Sequence, residues 1–235
     1  MNLKTYISLI QSFVDKGYEF RFFTDEIAKK KNLLLRHDVD FDVMFSLKLA
    51  EHEHHNLIKS TYFFMLRSDS YNILTHQNID AVKKIKAMGH EISLHFDPII
   101  YEDYSSGLLF ELDFFYKLFE VYPKVISIHR PSKDFLEGID VGVSHTYERK
   151  YIKDINYISD SGGGFKYGHP LNSDAYLTNE SIHLLLHPIW WVTEDDINIA
   201  KLKTYFKYRC DALSDHFSQN CVPWKEYVGR QNEIT

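Results

Sequence analysis

The chain has 235 residues, 44% of them hydrophobic and 15% aromatic, with 26% charged residues and a formal net charge of -6. That is enough apolar side chain for a large core, and the acidic balance lacks the basic stripe of a nucleic-acid binder. No run reaches the ~18 consecutive apolar residues of a membrane helix.

Tyr6, Ile10, Phe13 and Val14 recur at helical spacing and predict an amphipathic first helix. Acidic Asp15 and Glu19 follow without a small-residue cleavage site, so this is not a signal peptide and the chain reads as cytoplasmic. "NLLLRHD" predicts a strand, and "DVMFSLKLAEHEHHN" a helix with Leu47 and Ala50 on its inner face. His52 and His55 share a face at the end of that helix, which reads as solvated. "KSTYFFML" is a strand rich in β-branched and aromatic residues. "HQNIDAVKKIKAMG" is a helix stopped by Gly89. A strand "HEISLH", a helix "SGLLFELDFFYKLFEVY", and strands "KVISIHR", "INYISD" and "SIHLLLH" follow. "DDINIAKLKTYFKYRCDALSDHF" closes the chain as a long helix. No repeat, low-complexity segment or linker interrupts residues 1–235, which read as one domain. Cys210 and Cys221 read as free thiols.

Strands alternating with helices imply a parallel sheet. Six to eight such units in this length suit a closed barrel, whose chemistry sits at the carboxyl ends of its strands. Those ends are unusual here. They read His37-Asp38-Val39-Asp40, His95-Phe96-Asp97, His129-Arg130, Asp160-Ser161 and His187-Pro188. Unpaired buried charge is costly, so ionisable groups gathered on one rim imply use or pairing. The run from Asp38 to Asp42 also suits the N-cap of the following helix.

These endings, in this order, resemble the polysaccharide deacetylase family (the fourth carbohydrate esterase family), in a divergent "RHDVD" form spanning Leu33 to Trp191. The resemblance implies a distorted (β/α)7 barrel, a divalent metal, most simply zinc, and removal of N- or O-acetyl groups from sugars. It implies Asp38 as the base and Asp40 as a metal ligand, with Val39 inserted between them and the two roles open to exchange. "GHEISLH" implies His95 as a metal ligand. The second histidine of that motif is replaced by Ile99, so another donor is needed. His129 is the best substitute, ahead of Asp97 and His90. His90 opens its strand about 16 Å from His95.

"HRPS" resembles the third motif and implies Arg130 beside Asp38. "YISDSGGGF" implies Asp160 in the acid–base relay, with Phe165 or Tyr167 walling the groove. "LLLHPIWW" implies His187 as the general acid, with Trp190 and Trp191 available to stack on sugar rings. His183, on the same strand face but about 13 Å away, reads as structural.

The expected activity is therefore metal-dependent removal of an N-acetyl, N-formyl or O-acetyl group from an amino sugar or glycan intermediate. Surface-polysaccharide synthesis would supply such a substrate. The alternative is an inactive barrel that kept the fold and binds a glycan or partner.

Overall fold

The structure, a computed structural model, describes residues 1–137, 139–195 and 197–232. Its elements follow in order as α1 (Leu3–Asp15), β1 (Glu19–Arg21), β2 (Asn32–Val39), α2 (Val43–His55), β3 (Thr61–Phe64), α3 (His76–Ala87), β4 (Glu91–Phe96), α4 (Tyr104–Phe119) and β5 (Val125–Ile128). After them come α5 (Lys133–Leu136), β6 (Ser144–His145), α6 (Arg149–Ile152), β7 (Asn156–Ser159), α7 (Asp174–Thr178), β8 (Ile182–Leu186), α8 (Ile189–Val192), α9 (Asn198–Asn220) and α10 (Val222–Asn232).

The strands form one parallel sheet in the order β6-β5-β4-β3-β2-β8-β7. β1 pairs with the start of β2, Glu19 opposite Asn32, and β3 pairs with its end, Val39 opposite Phe64. The sheet curls into a distorted (β/α)7 barrel, and among the described residues β6 and β7 do not pair. The expected fold class is thus the one observed.

Period-two alternation divides the core. Leu34 and Phe63 point inward and pack with Phe23, Tyr151 and Ile155 in a small cluster inside the barrel. Leu33, Leu35, Tyr62 and Phe64 point outward, into a much larger core shared with the helices. α1 contributes Tyr6, Leu9, Ile10 and Phe13 to that layer. Val14, expected on the same face, is 39% exposed. Leu47 and Ala50 are buried on α2, as the sequence pattern requires.

Helix ends follow from local chemistry. Asp42 caps α2, its Oδ1 accepting from the N–H of Met44 at 2.7 Å and of Phe45 at 3.3 Å. Asp38 and Asp40 are left for other work. Gly89, just past α3, takes φ +92°, the left-handed turn that glycine makes without strain. Two strands escaped the sequence pattern. β1 is three residues long and polar, and β6 has two residues. The long closing helix begins at Asn198, with the expected Asp196 outside the described residues, and α10 follows it. Residues 233–235 of the expected single domain also lie outside them. Cys210 and Cys221 are exposed free thiols. Among the described residues no helix is long and apolar enough to cross a membrane.

Candidate functional site

β2 carries "RHDVD" to the barrel rim, and alternation sends Arg36 and Asp38 inward while His37 and Val39 face the helices. Inside, Arg36 grips Asp38 through two parallel bonds. Its Nε donates to Oδ1 at 2.8 Å and its Nη2 to Oδ2 at 2.6 Å. Ser127 Oγ adds a third donor to Oδ2 at 3.1 Å. Both charged residues are buried. Burial alone would raise the Asp38 pKa, but the adjacent guanidinium outweighs it and holds the carboxyl well below the usual carboxylate range.

One step further along, Asp40 meets two imidazoles. His95 is the penultimate residue of β4, and the register places it opposite Ser127 on β5. His129 lies just past β5, its N–H donating to the Phe96 carbonyl at 2.7 Å. Asp40 Oδ1 is 3.1 Å from His95 Nε2 and 3.5 Å from His129 Nδ1, and the two nitrogens are 3.1 Å apart. These three donor atoms form the candidate metal cluster of the described residues.

The set fits a divalent ion on two counts. Tetrahedral zinc with ligands at about 2.0–2.1 Å separates its donor atoms by about 3.3 Å, close to the spacings found. Asp40 Oδ1 is also buried and accepts no hydrogen bond, an expensive state for a carboxylate unless a cation completes it. Burial, then the charge of neighbouring His95, lowers the His129 pKa and favours the neutral imidazole that ligates metals.

The opposite wall holds a second acid–base pair. His187 follows β8, and its Nδ1 donates to Asp160 Oδ1 at 2.6 Å. Asp160, fully buried at the end of β7, also accepts the indole N–H of Trp191 at 2.7 Å and the His187 backbone N–H at 3.1 Å. His187 Nε2 is left facing Asp40 Oδ2 at 3.7 Å. Burial would lower the His187 pKa, but the Asp160 carboxylate overrides it and lifts it to about 9. Asp38, Asp40, His95, His129 and His187 line one cavity of about 360 Å³.

The structure therefore brings together Asp38, Asp40, His95, His129, His187 and Asp160. Other expectations need correction. Arg130 does not reach Asp38. Its backbone adopts φ +49°, and the side chain pairs with buried Asp97. Arg36 occupies the place beside Asp38 instead. Nor can Trp191 stack on a sugar, since it is 1% exposed and its indole N–H is committed to Asp160. Trp190 is 6% exposed and lines part of the cavity. Phe165 packs partly buried against Trp191, while Tyr167 is 92% exposed.

His90 and His183 lie away from the site. His90 Nε2 donates to the Ala50 carbonyl at 3.1 Å and its Nδ1 sits 2.8 Å from Ser60 Oγ. His183 Nδ1 donates to the Tyr151 carbonyl at 3.0 Å. Burial, reinforced by nearby Arg36, lowers its pKa to about 3. Sequence reasoning passed over Arg36 and Ser127, although both share a strand face with residues it singled out.

No protein-family model and no curated protein matches the chain. Solved structures of similar chain path include the chitin deacetylase from Colletotrichum lindemuthianum, at 16% identity and TM-score 0.47 over 77% of this chain and 85% of that one. A family 4 carbohydrate esterase from Bacillus anthracis is similar at 16% identity and TM-score 0.45, over 87% and 86% of the two chains. A Streptococcus pyogenes deacetylase in complex with acetate is similar at 15% identity and TM-score 0.43, over 77% and 79%.

Proposed function

We propose that the chain is a metal-dependent carbohydrate deacetylase of the polysaccharide deacetylase type, hydrolysing the amide of an N-acylated amino sugar. One observation carries this reading. A carboxylate–bis-imidazole donor set opens into the same cavity as a buried carboxylate held by arginine and an imidazole held by a carboxylate.

Asp40, His95 and His129 would hold the ion. When bound, a divalent ion lowers the pKa of water and polarises an acyl oxygen. The chain supplies the proton chemistry. Asp38, kept ionised and fixed by Arg36 and Ser127, accepts a proton from the attacking water at a carboxylate oxygen. The water oxygen adds to the acyl carbon. His187, whose Nδ1 is tied to the Asp160 carboxylate that favours its protonated form, gives its Nε2 proton to the leaving nitrogen as the C–N bond breaks. The products are the carboxylic acid and a free amine. Arg36 and Asp160 act through their partners, setting charge and orientation. Asp40 lies just past β2, two residues after Asp38, and the two roles stay open to exchange.

Zinc suits the ligand set. An N-acetyl group is the simplest acyl group, with N-formyl and O-acetyl as variants. A place in surface-polysaccharide synthesis is proposed by analogy with the family alone. The intact acid–base pairs weigh against an inactive barrel.

The test combines element analysis of protein purified without chelators with an assay of acid release from acylated amino sugars. The expected outcome is about one divalent ion per chain, with hydrolysis abolished by chelation and restored by the ion. A metal-free protein that binds glycan and hydrolyses none would leave the inactive-barrel reading in its place.

A further inference from the structure

Two arginines beside the ligand trio have no part in that chemistry. A second cavity, of about 520 Å³, opens against Asp40 and His129 and is also lined by Arg67, Ser68, Ser70 and Arg130. Arg130 immediately follows His129. Its left-handed backbone is unfavourable for a residue with a side chain, and such conformations gather at functional positions. The pairing with Asp97 uses one edge of the guanidinium, and the side chain is still 55% exposed. Asp97 itself is 3% exposed, so this arginine is held by a fixed anchor rather than by a mobile surface partner.

Arg67 is anchored differently. Its guanidinium lies 5.1 Å from the centre of the Tyr101 ring, and Tyr101 is fixed in turn by donating its hydroxyl to Glu111 at 2.5 Å. Two cationic forks are thus held at the wall of one groove with N–H groups to spare. A guanidinium fork matches the paired oxygens of phosphate or carboxylate, and a pre-positioned one loses less side-chain freedom on binding. Acidic groups line the groove too. Arg130 neutralises Asp97, Asp40 belongs to the ligand trio, and Asp69 stands exposed at the rim. Among the described residues Phe41 is the one aromatic side chain lining this groove, and Trp190 and Trp191 are buried.

We infer that the acylated sugar accepted here carries an anionic substituent, bound by Arg67 and Arg130 while its acylamino group faces Asp40 and His129. This rests on the proposed deacetylase activity and adds the substrate class. The shared chemistry is an oxyanion, phosphoryl or carboxylate.

The experiment uses metal-loaded protein and four probes. They are N-acetylglucosamine 1-phosphate, UDP-N-acetylglucosamine, the carboxylate-bearing N-acetylmuramic acid, and neutral diacetylchitobiose. Binding is followed by titration calorimetry and turnover by acetate release. At least one anionic probe should bind roughly tenfold or more tightly than the neutral one, with the preference weakening as salt rises. The two phosphoryl probes against the carboxylate probe decide which oxyanion is read.

Arg67→Gln should lower the anionic-to-neutral affinity ratio about tenfold, the scale of one lost charge-assisted hydrogen bond. Arg67 is exposed, so this variant does not put folding at risk. Arg130→Lys, which keeps a cation beside Asp97, should lower the ratio as well. Equal handling of neutral and anionic probes, with no effect of Arg67→Gln, would overturn the substrate class and leave the deacetylase reading standing. Absence of acetate release from every probe by metal-loaded protein would overturn the deacetylase reading. In that case the calorimetric ratio still decides whether the groove selects anions.

Discussion

The two faces of β2 bury histidine–carboxylate clusters of opposite character. On the outer face, His37 Nε2 donates to Glu53 Oε1 at 2.7 Å. The same carboxylate accepts from Tyr62 at 2.7 Å, from Ser60 at 2.6 Å and from Tyr6. Glu53 is thus supplied with four donors by the protein itself, deep between barrel and helices. On the inner face, Asp40 faces two imidazoles, yet its Oδ1 accepts no hydrogen bond. In the first network the carboxylate is saturated within the protein, although His37 Nδ1 is left without a partner. The other stops at a solvent-reaching rim with donor atoms converging on a point. Buried charge alone therefore does not mark a functional site in this molecule. A carboxylate oxygen left unsatisfied where two imidazoles converge on it does.

The comparison breaks most visibly in turnover. His187→Ala removes the proton donor on the inner side and is expected to lower kcat by ~10²–10⁴. The far-UV circular dichroism should stay unchanged, since His187 lies beyond β8 and not within it. Asp38→Asn should lower kcat comparably but also destabilise, because it strands fully buried Arg36. Acetate release and urea unfolding, measured on both variants, separate the two cases. Equal stability of Asp38→Asn and the parent would contradict the Arg36 pairing.

The second expected effect concerns metal. His129→Ala should weaken divalent-ion affinity by more than the ~10–100-fold typical of a residue that only supports a ligand. Competition against a chelator reads this without any substrate. Unchanged affinity would remove His129 from the site and move the third ligand to Asp97.

Much of this architecture was legible before any coordinates. The long strands alternate cleanly with helices whose apolar spacing is unambiguous, and a parallel barrel follows from that order. Strand ends drew attention because ionisable residues interrupted apolar runs. What escaped was contextual. Arg36 sits within "LLLRHD" and reads as strand filler, although period-two spacing from Asp38 puts the two on one face. Arg130 was misassigned because a motif gives position along the chain but not φ, and its left-handed backbone swings the side chain toward Asp97. Glu53 lies in "EHEHH", which looks like a solvated helix end. His54 and His55 are indeed exposed, but Glu53 faces inward and is buried. β6 could not be seen, since two residues carry no periodicity.

A third prediction targets the outer network. Glu53→Gln leaves His37 opposite a neutral amide and removes acceptor capacity from Tyr6 and Tyr62. Breaking a buried, hydrogen-bonded charge in this way typically costs about 3–5 kcal/mol. The expected result is a clearly lower urea midpoint with metal affinity close to the parent's. A large loss of metal affinity would mean that the two faces of β2 are coupled rather than independent.

The smallest effect is in pH dependence, and here the two clusters should act at opposite ends of the scale in metal-free protein. Burial would raise the Glu53 pKa, but His37 outweighs it and lowers the value from the usual 4.5 to about 2. A depressed carboxylate pKa contributes stability that is fully present above the unfolded value and is lost as pH falls through the folded one. Glu53 should therefore act below about pH 4.5, fading toward 2. His187 has the opposite sign. Its pKa rises from 6.5 to about 9 in the folded protein, against the effect of burial, because of Asp160. Its contribution is fully present below 6.5 and is lost as pH climbs through about 9. Each limb has a slope of at most about 1.4 kcal/mol per pH unit, one proton's worth. Urea midpoints measured across pH should show the acid limb flattened in Glu53→Gln and the alkaline limb flattened in His187→Ala. If both variants flattened the same limb, the assignment of one cluster to structure and the other to proton transfer would fail.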